Sequence, residues 1–205
     1  LIAMSAVITA VSTHLARQVA ASSVYAGDAN PLTGLPGNHS IRARLQEALS
    51  LQEDVIVVYA DLDHFKIFND YAGFDAGDSV IQLTASCLLK ATAYLESAAF
   101  VGHIGGDDFV VVLPSQEAER VAGTITRSFD ASVQQFYREE DRANGYISVT
   151  NRQGKTLTFP HCRMTLAGTR LPGGFRHVSD VAAVCAEMKH VAKAKPDNVL
   201  VLDRR

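Results

Sequence analysis

Two glycines followed at once by two carboxylates, Gly105-Gly106-Asp107-Asp108, constrain this 205-residue chain more than any other feature. Apolar residues flank them, Phe100 and Val101 before and Val110 to Leu113 after. The pattern reads as strand, tight turn, strand, with two acids at the turn. Glycine reaches the positive φ of such a turn and lets a bulky anion approach the backbone. Adjacent carboxylates repel each other, and a divalent ion held between them relieves the repulsion. Such an ion, with backbone N–H groups, could hold a nucleoside triphosphate. The alternative is a solvated hairpin tip with no ligand.

A second stretch favours the ligand. The β-branched run Val55 to Tyr59 reads as a buried strand and leads into Asp61-Leu62-Asp63-His64-Phe65-Lys66, then Asn69-Asp70, then Gly73 to Asp78. Acids at the end of a buried strand are costly unless paired or metal-bound. Asp61 could hold a metal, and Lys66 could neutralise phosphate as a point charge. Asn69 offers donor and acceptor while Asp78 only accepts, which suits the N1–H and amino edge of guanine better than adenine. On its own the stretch could be a salt-bridged surface loop.

Together these stretches resemble the GGDEF domain, the diguanylate cyclase family. Asn30-Pro31-Leu32-Thr33-Gly34-Leu35-Pro36-Gly37-Asn38 is similar to the family's opening element. Asp61 to Asp78 follows its D-x-D-x-F-K-x-x-N-D-x-x-G-x-x-x-GD pattern, and Gly105 to Phe109 its signature, here as GGDDF. The resemblance implies that two GTP molecules are condensed into cyclic di-GMP across a homodimer, with two pyrophosphates released. It implies Mg²⁺ or Mn²⁺ on Asp61, the Leu62 carbonyl, Asp107 and Asp108. The catalytic set is then Asp61, Asp107, Asp108 and Lys66. Phe65, Asn69, Asp78, Gly105, Gly106 and Lys193 would bind the nucleotide, with Asn69 and Asp78 on guanine and Lys193 on phosphate.

The chain also departs from the family. Asp108 stands where glutamate is usual, and His103 replaces an arginine two residues before the Gly-Gly pair. Phe74 replaces a frequent histidine, Asp197 replaces a phosphate-side arginine, and Thr165-Leu166-Ala167 stands where Ser-Ile-Gly is usual. Glu96-Ser97-Ala98-Ala99 occupies the place of the product-binding R-x-x-D element, so no product inhibition is expected there. A non-catalytic GTP-binding regulatory module and a structural dimerisation module are the alternatives to a cyclase.

The expected architecture is α/β (α+β), a palm-like βαββαβ core whose central, mainly antiparallel sheet is flanked by helices. Helices are expected over Ser40 to Leu51, Asp78 to Tyr94, Gln116 to Tyr137 and Val178 to Ala194. Gly145 to Thr150 and Thr156 to Phe159 read as an extra hairpin, and Arg163 to Gly168 and Val199 to Leu202 as strands. Residues 28–205 form the catalytic-type domain, and 1–27 an amphipathic helix with Leu1, Met4, Ile8, Val11, Leu15 and Val19 on one side. That helix reads as a signalling stalk, a helix packed on its own domain, or the end of an upstream sensory or regulatory domain. It is too short and broken for a membrane span. A net charge of −3 gives no footing for nucleic acid or an anionic membrane. Three cysteines without metal spacing suit core packing in a reducing cytoplasm.

Overall fold

The computed structural model describes residues 27–150, 154–194 and 199–203. The expected N-terminal helix lies outside them, as does the Lys195–Asn198 element. Helix α1 (Asn38–Ser50) is followed by β1 (Val55–Asp63), α2 (Phe65–Ala72) and α3 (Phe74–Thr92). A 3₁₀ segment (Ala93–Ala98) leads to the hairpin β2 (Phe100–Gly105) and β3 (Asp108–Pro114). Then come α4 (Ala118–Val133), α5 (Glu139–Asn144), β4 (Tyr146–Thr150), β5 (Thr156–Pro160), β6 (Arg163–Leu171), α6 (Val178–Lys193) and β7 (Val201–Leu202).

Five strands form the central sheet in the order β2-β3-β1-β6-β7. Neighbours are antiparallel except β6 and β7, which are parallel. Strand β1 is central, and both its faces are covered. Ile56, Val58, Ala60 and Leu62 join Phe68, Val80, Leu88, Ile125 and Phe129 in one apolar layer under α2, α3 and α4. Val55 and Val57 meet Ile41, Leu45, Val181 and Cys185 on the opposite face, under α1 and α6. Each large side chain buried this way contributes about 1.5–3 kcal/mol. The alternation follows from the period of two along a strand. Helix α1 has no side-chain cap at Gly37, and instead the Asp28 carboxylate accepts the Ser40 N–H at 2.7 Å from far upstream in sequence.

Two differences from the sequence expectation bear on the site. Strand β1 continues four residues past Tyr59, to Asp63, because β6 pairs with it all the way to Asp63–Arg163. The helix expected from Asp78 begins four residues earlier, at Phe74, and is preceded by a further helix, α2, that meets it at Gly73 with φ 89°. That backbone favours glycine and ends α2 so that α3 starts in a new direction. The extra hairpin forms its own two-stranded sheet, β4–β5, anchored by buried Ile147. Beside it the Tyr137 hydroxyl accepts the Cys162 N–H at 2.7 Å, and Tyr71 donates to Asp141 at 2.6 Å. Cys87, Cys162 and Cys185 are free and buried, as expected of core residues. Burial raises all three thiol pKa values, that of Cys185 to about 12.

A candidate active site at the end of the central strand

Pairing between β1 and β3 stops at Ala60–Phe109, while pairing with β6 goes on. The main chain of Asp61, Leu62 and Asp63 therefore lies where the β2–β3 hairpin turns, without β3 alongside. Strand alternation sends the Leu62 side chain into the core and leaves Asp61 and Asp63 on the α6 face. Both acids are buried, Asp61 to 5% exposure. Burial is tolerated because α6 brings two ammonium groups over them. Lys189 Nζ lies 3.0 Å from Asp61 Oδ2 and 2.6 Å from Asp108 Oδ1. Lys193 pairs with Asp61 Oδ1 and lies 3.8 Å from Asp63 Oδ1. Asp63 is held from the other side, accepting from Thr165 Oγ1 at 2.7 Å and Arg163 Nε at 3.0 Å.

These charges shift one another. Burial pushes the Asp61 carboxyl up, but hydrogen bonds and charge from Lys193 and Lys189 outweigh it and hold its pKa below the usual range. Burial likewise works against the charged form of Lys189, and its bonds to Asp108 and Asp61 win, raising its pKa. Asp107 goes the other way. Burial, aided by the negative charges of Asp61 and Asp108, raises its pKa, against the pull of its own backbone N–H and of Lys193. Among the described residues Asp107 makes no ion pair, whereas Asp61, Asp63 and Asp108 each do.

The turn is shaped by its glycines and fixed by His103. Gly105 and Gly106 have φ 148° and 58°, and a Cβ on either would meet nothing within 4 Å. Glycine is required there for conformation, and the space beside it is open to a ligand. His103 is buried, stacks on Phe109 at 4.2 Å, and bonds Gly106 O through Nε2 at 3.0 Å. A carbonyl only accepts, so Nε2 carries the proton, and Nδ1 accepts from Thr33 Oγ1 at 3.0 Å. Burial lowers the His103 pKa, in keeping with the neutral ring.

Helices α2 and α3 supply the other half. His64 precedes α2 with φ 63° and gives no side-chain cap. The first N–H of α2 bonded back into the turn is that of Phe68, to His64 O at 2.9 Å. The N–H groups of Phe65, Lys66 and Ile67 precede it, at an end suited to an anion. Lys66 is exposed and has no carboxylate partner among the described residues. The structure does not bring it into the acid cluster. Asn69 Oδ1 is buried without a hydrogen-bond partner. A Cβ at Gly77 would lie 1.9 Å from that oxygen, so α3 approaches Asn69 only because residue 77 is glycine. Asp78 lies one residue further along, exposed. Glu96 is exposed on the 3₁₀ segment with φ 49°, so a carboxylate faces solvent where the product-binding arginine was expected to be absent.

Sequence reasoning missed Lys189, Asp63 as a charge anchor, and His103 as the lock on the turn. The signal for Lys189 was present. Val181, Cys185, Lys189 and Lys193 recur every fourth residue, one row of a helix that begins apolar and turns cationic. A cleft of about 1060 Å³ lies at the opposite end of β1 beside Asp54, Ile56 and Arg170 and contains none of these groups.

The donors of Asp61, Leu62 C=O, Asp107 and Asp108 are all oxygen, which fits a hard divalent ion such as Mg²⁺ or Mn²⁺. No ready-made cluster of three or more ligating side chains is present among the described residues. The chemistry fits, with Lys189 and Lys193 now on the same oxygens.

Comparison with known proteins gives the family and the fold. Residues 28–157 match the family model described as diguanylate cyclase, GGDEF domain. Over 94 residues the chain is 37% identical to the diguanylate cyclase DgcP of Pseudomonas aeruginosa, a match that takes in 44% of this chain and 14% of that protein. The fold is that of the isolated GGDEF domain of TpbB (YfiN) from Pseudomonas aeruginosa, with TM-score 0.58 and 23% identity over 84% of this chain and 92% of that one. It is also that of the GGDEF domain of DgcB from Caulobacter crescentus, solved with c-di-GMP, with TM-score 0.59 and 21% identity over 86% and 95%.

Proposed function

The chain belongs to the GGDEF family, and from that premise we propose that it is a diguanylate cyclase, condensing two GTP into cyclic di-GMP and two pyrophosphates in a homodimer. Each domain presents one GTP. The 3′-hydroxyl of one attacks the α-phosphorus of the other, the hydroxyl proton is lost, and the bond to pyrophosphate breaks. The reaction occurs twice to close the ring. Asn69 and Asp78 read the guanine edge, and the unpartnered Asn69 oxygen awaits a donor. The N–H groups at the start of α2 receive phosphate oxygens, with Lys66 and Lys193 adding charge. Asp61, the Leu62 carbonyl, Asp107 and Asp108 would hold Mg²⁺ or Mn²⁺, which would acidify the hydroxyl and offset charge on the leaving group. Holding two substrates in one orientation supplies the remaining acceleration. A cytoplasmic site of action fits a GTP substrate.

The observation that best supports this reading is the meeting of Asp61, Asp108, Lys189 and Lys193 at the end of β1, beside the Gly-Gly turn. A second reading has one observation in its favour. Asp108, the shorter acid in the signature, is engaged by Lys189, as suits a GTP-binding regulatory module with little turnover. GTP turnover with Mg²⁺ and then Mn²⁺, at two protein concentrations, separates the two. Cyclic di-GMP is expected to rise more than linearly with protein, and Asp108→Glu to raise the rate. Absence of product, with GTP still binding by calorimetry, would favour the regulatory module.

A further inference from the structure

We propose that Lys189 is a tethered cation that competes with the divalent ion for Asp61 and Asp108, so that metal is taken up weakly alone and strongly together with a nucleoside triphosphate. The inference rests on the reading above that these carboxylates hold metal. Lys189 bridges one oxygen of each acid, at 3.0 and 2.6 Å, which is the position a shared cation takes. Its side chain is only 23% exposed and Asp61 is nearly covered, so solvent screens the contact weakly. A divalent ion at bonding distance from those oxygens cannot keep an ammonium group at the same place.

The charge balance points the same way. Asp61, Asp63, Asp107 and Asp108 face Lys189, Lys193 and Arg163, leaving the cluster close to neutral. A bare divalent ion would make it positive. A triphosphate arriving with the ion supplies the missing negative charge and gives the displaced Lys189 ammonium a new partner. Packing does not demand a lysine here. Val181 and Cys185 precede it in the same row and are fully buried, so an apolar residue would continue the pattern.

The test is a nucleotide-free Mn²⁺ titration of the full chain, reading free Mn²⁺ by electron paramagnetic resonance. Lys189→Met is expected to tighten Mn²⁺ binding by about 10- to 100-fold. With saturating α,β-methylene GTP the two proteins should converge. Equal or weaker Mn²⁺ binding by Lys189→Met would overturn the proposal. Asp107→Asn serves as the control, since Mn²⁺ binding unaffected by that change would remove the metal reading itself. If Lys189→Met does not fold, the unsubstituted protein decides. Reductive methylation of Lys189, followed by mass spectrometry, should rise when Mg²⁺ saturates the site, and labelling indifferent to Mg²⁺ would reject competition.

Discussion

Around Asp61 the chain supplies its own counter-charges, Lys189 and Lys193 from α6, with Arg163 and Thr165 holding Asp63 beside it. Around Asn69 it supplies almost nothing. The Asn69 oxygen is buried and unpartnered, Asp78 lies exposed, and Phe74 stands 82% exposed between them in sequence. The carboxylate cluster is therefore satisfied within the chain, and a ligand there would have to exchange one set of ion pairs for another. The Asn69 region, the base half of the proposed site, carries an unmet hydrogen bond among the described residues, so a ligand would gain there without displacing an ion pair. Binding selectivity should come from α2 and α3, and control of chemistry from β1 and α6.

The largest effect should follow Asp61→Asn. Turnover is expected to fall by about 1000-fold, since metal and phosphate neutralisation is worth several kcal/mol. Lys189 keeps Asp108 and Lys193 keeps Asp63, so the domain should still melt cooperatively in calorimetry. A loss seen in the KM for GTP alone would erase the contrast between the two halves. Gly77→Ala comes next. Its new Cβ would meet Asn69 Oδ1 at 1.9 Å, and one displaced hydrogen bond predicts a KM for GTP raised by about 10- to 100-fold with kcat little changed. Steady-state kinetics checks the split. Phe74→Ala should do least, changing stability by under about 0.5 kcal/mol in a denaturant titration. A larger change would mean that the base half is packed more tightly than its exposure indicates.

Much of this architecture was legible in the sequence, and the failures share one cause. The hairpin at Gly105-Gly106, the β4–β5 ribbon and helices α1 and α6 follow from periodicity and turn chemistry within a few neighbouring residues. Asp61 to Asp63 did not read as strand, because acids break an apolar run. Only the distant partners on β6 and α6 make a strand of them. Helix α2 was hidden because its eight residues also carry the nucleotide-binding pattern and end at Gly73. Asp61, Asn69 and Asp78 stood out within one short stretch and Asp107 and Asp108 within another, and the family resemblance joined the two. Lys189 did not stand out, because its role depends on Asp61, more than a hundred residues away, and its own helix reads first as an apolar row.

The burial of all three cysteines has a practical consequence. Their thiols sit in the core, with pKa values raised by burial, and thiolate is the form that reacts with maleimides and disulfides. The folded protein is in effect a cysteine-silent background. One cysteine introduced on the exposed surface of α3 would carry a spin label or fluorophore alone, without first stripping the native thiols from a core they help to fill. Pairs of such labels across two copies would then report how two domains approach each other, with no change to the residues that do the chemistry.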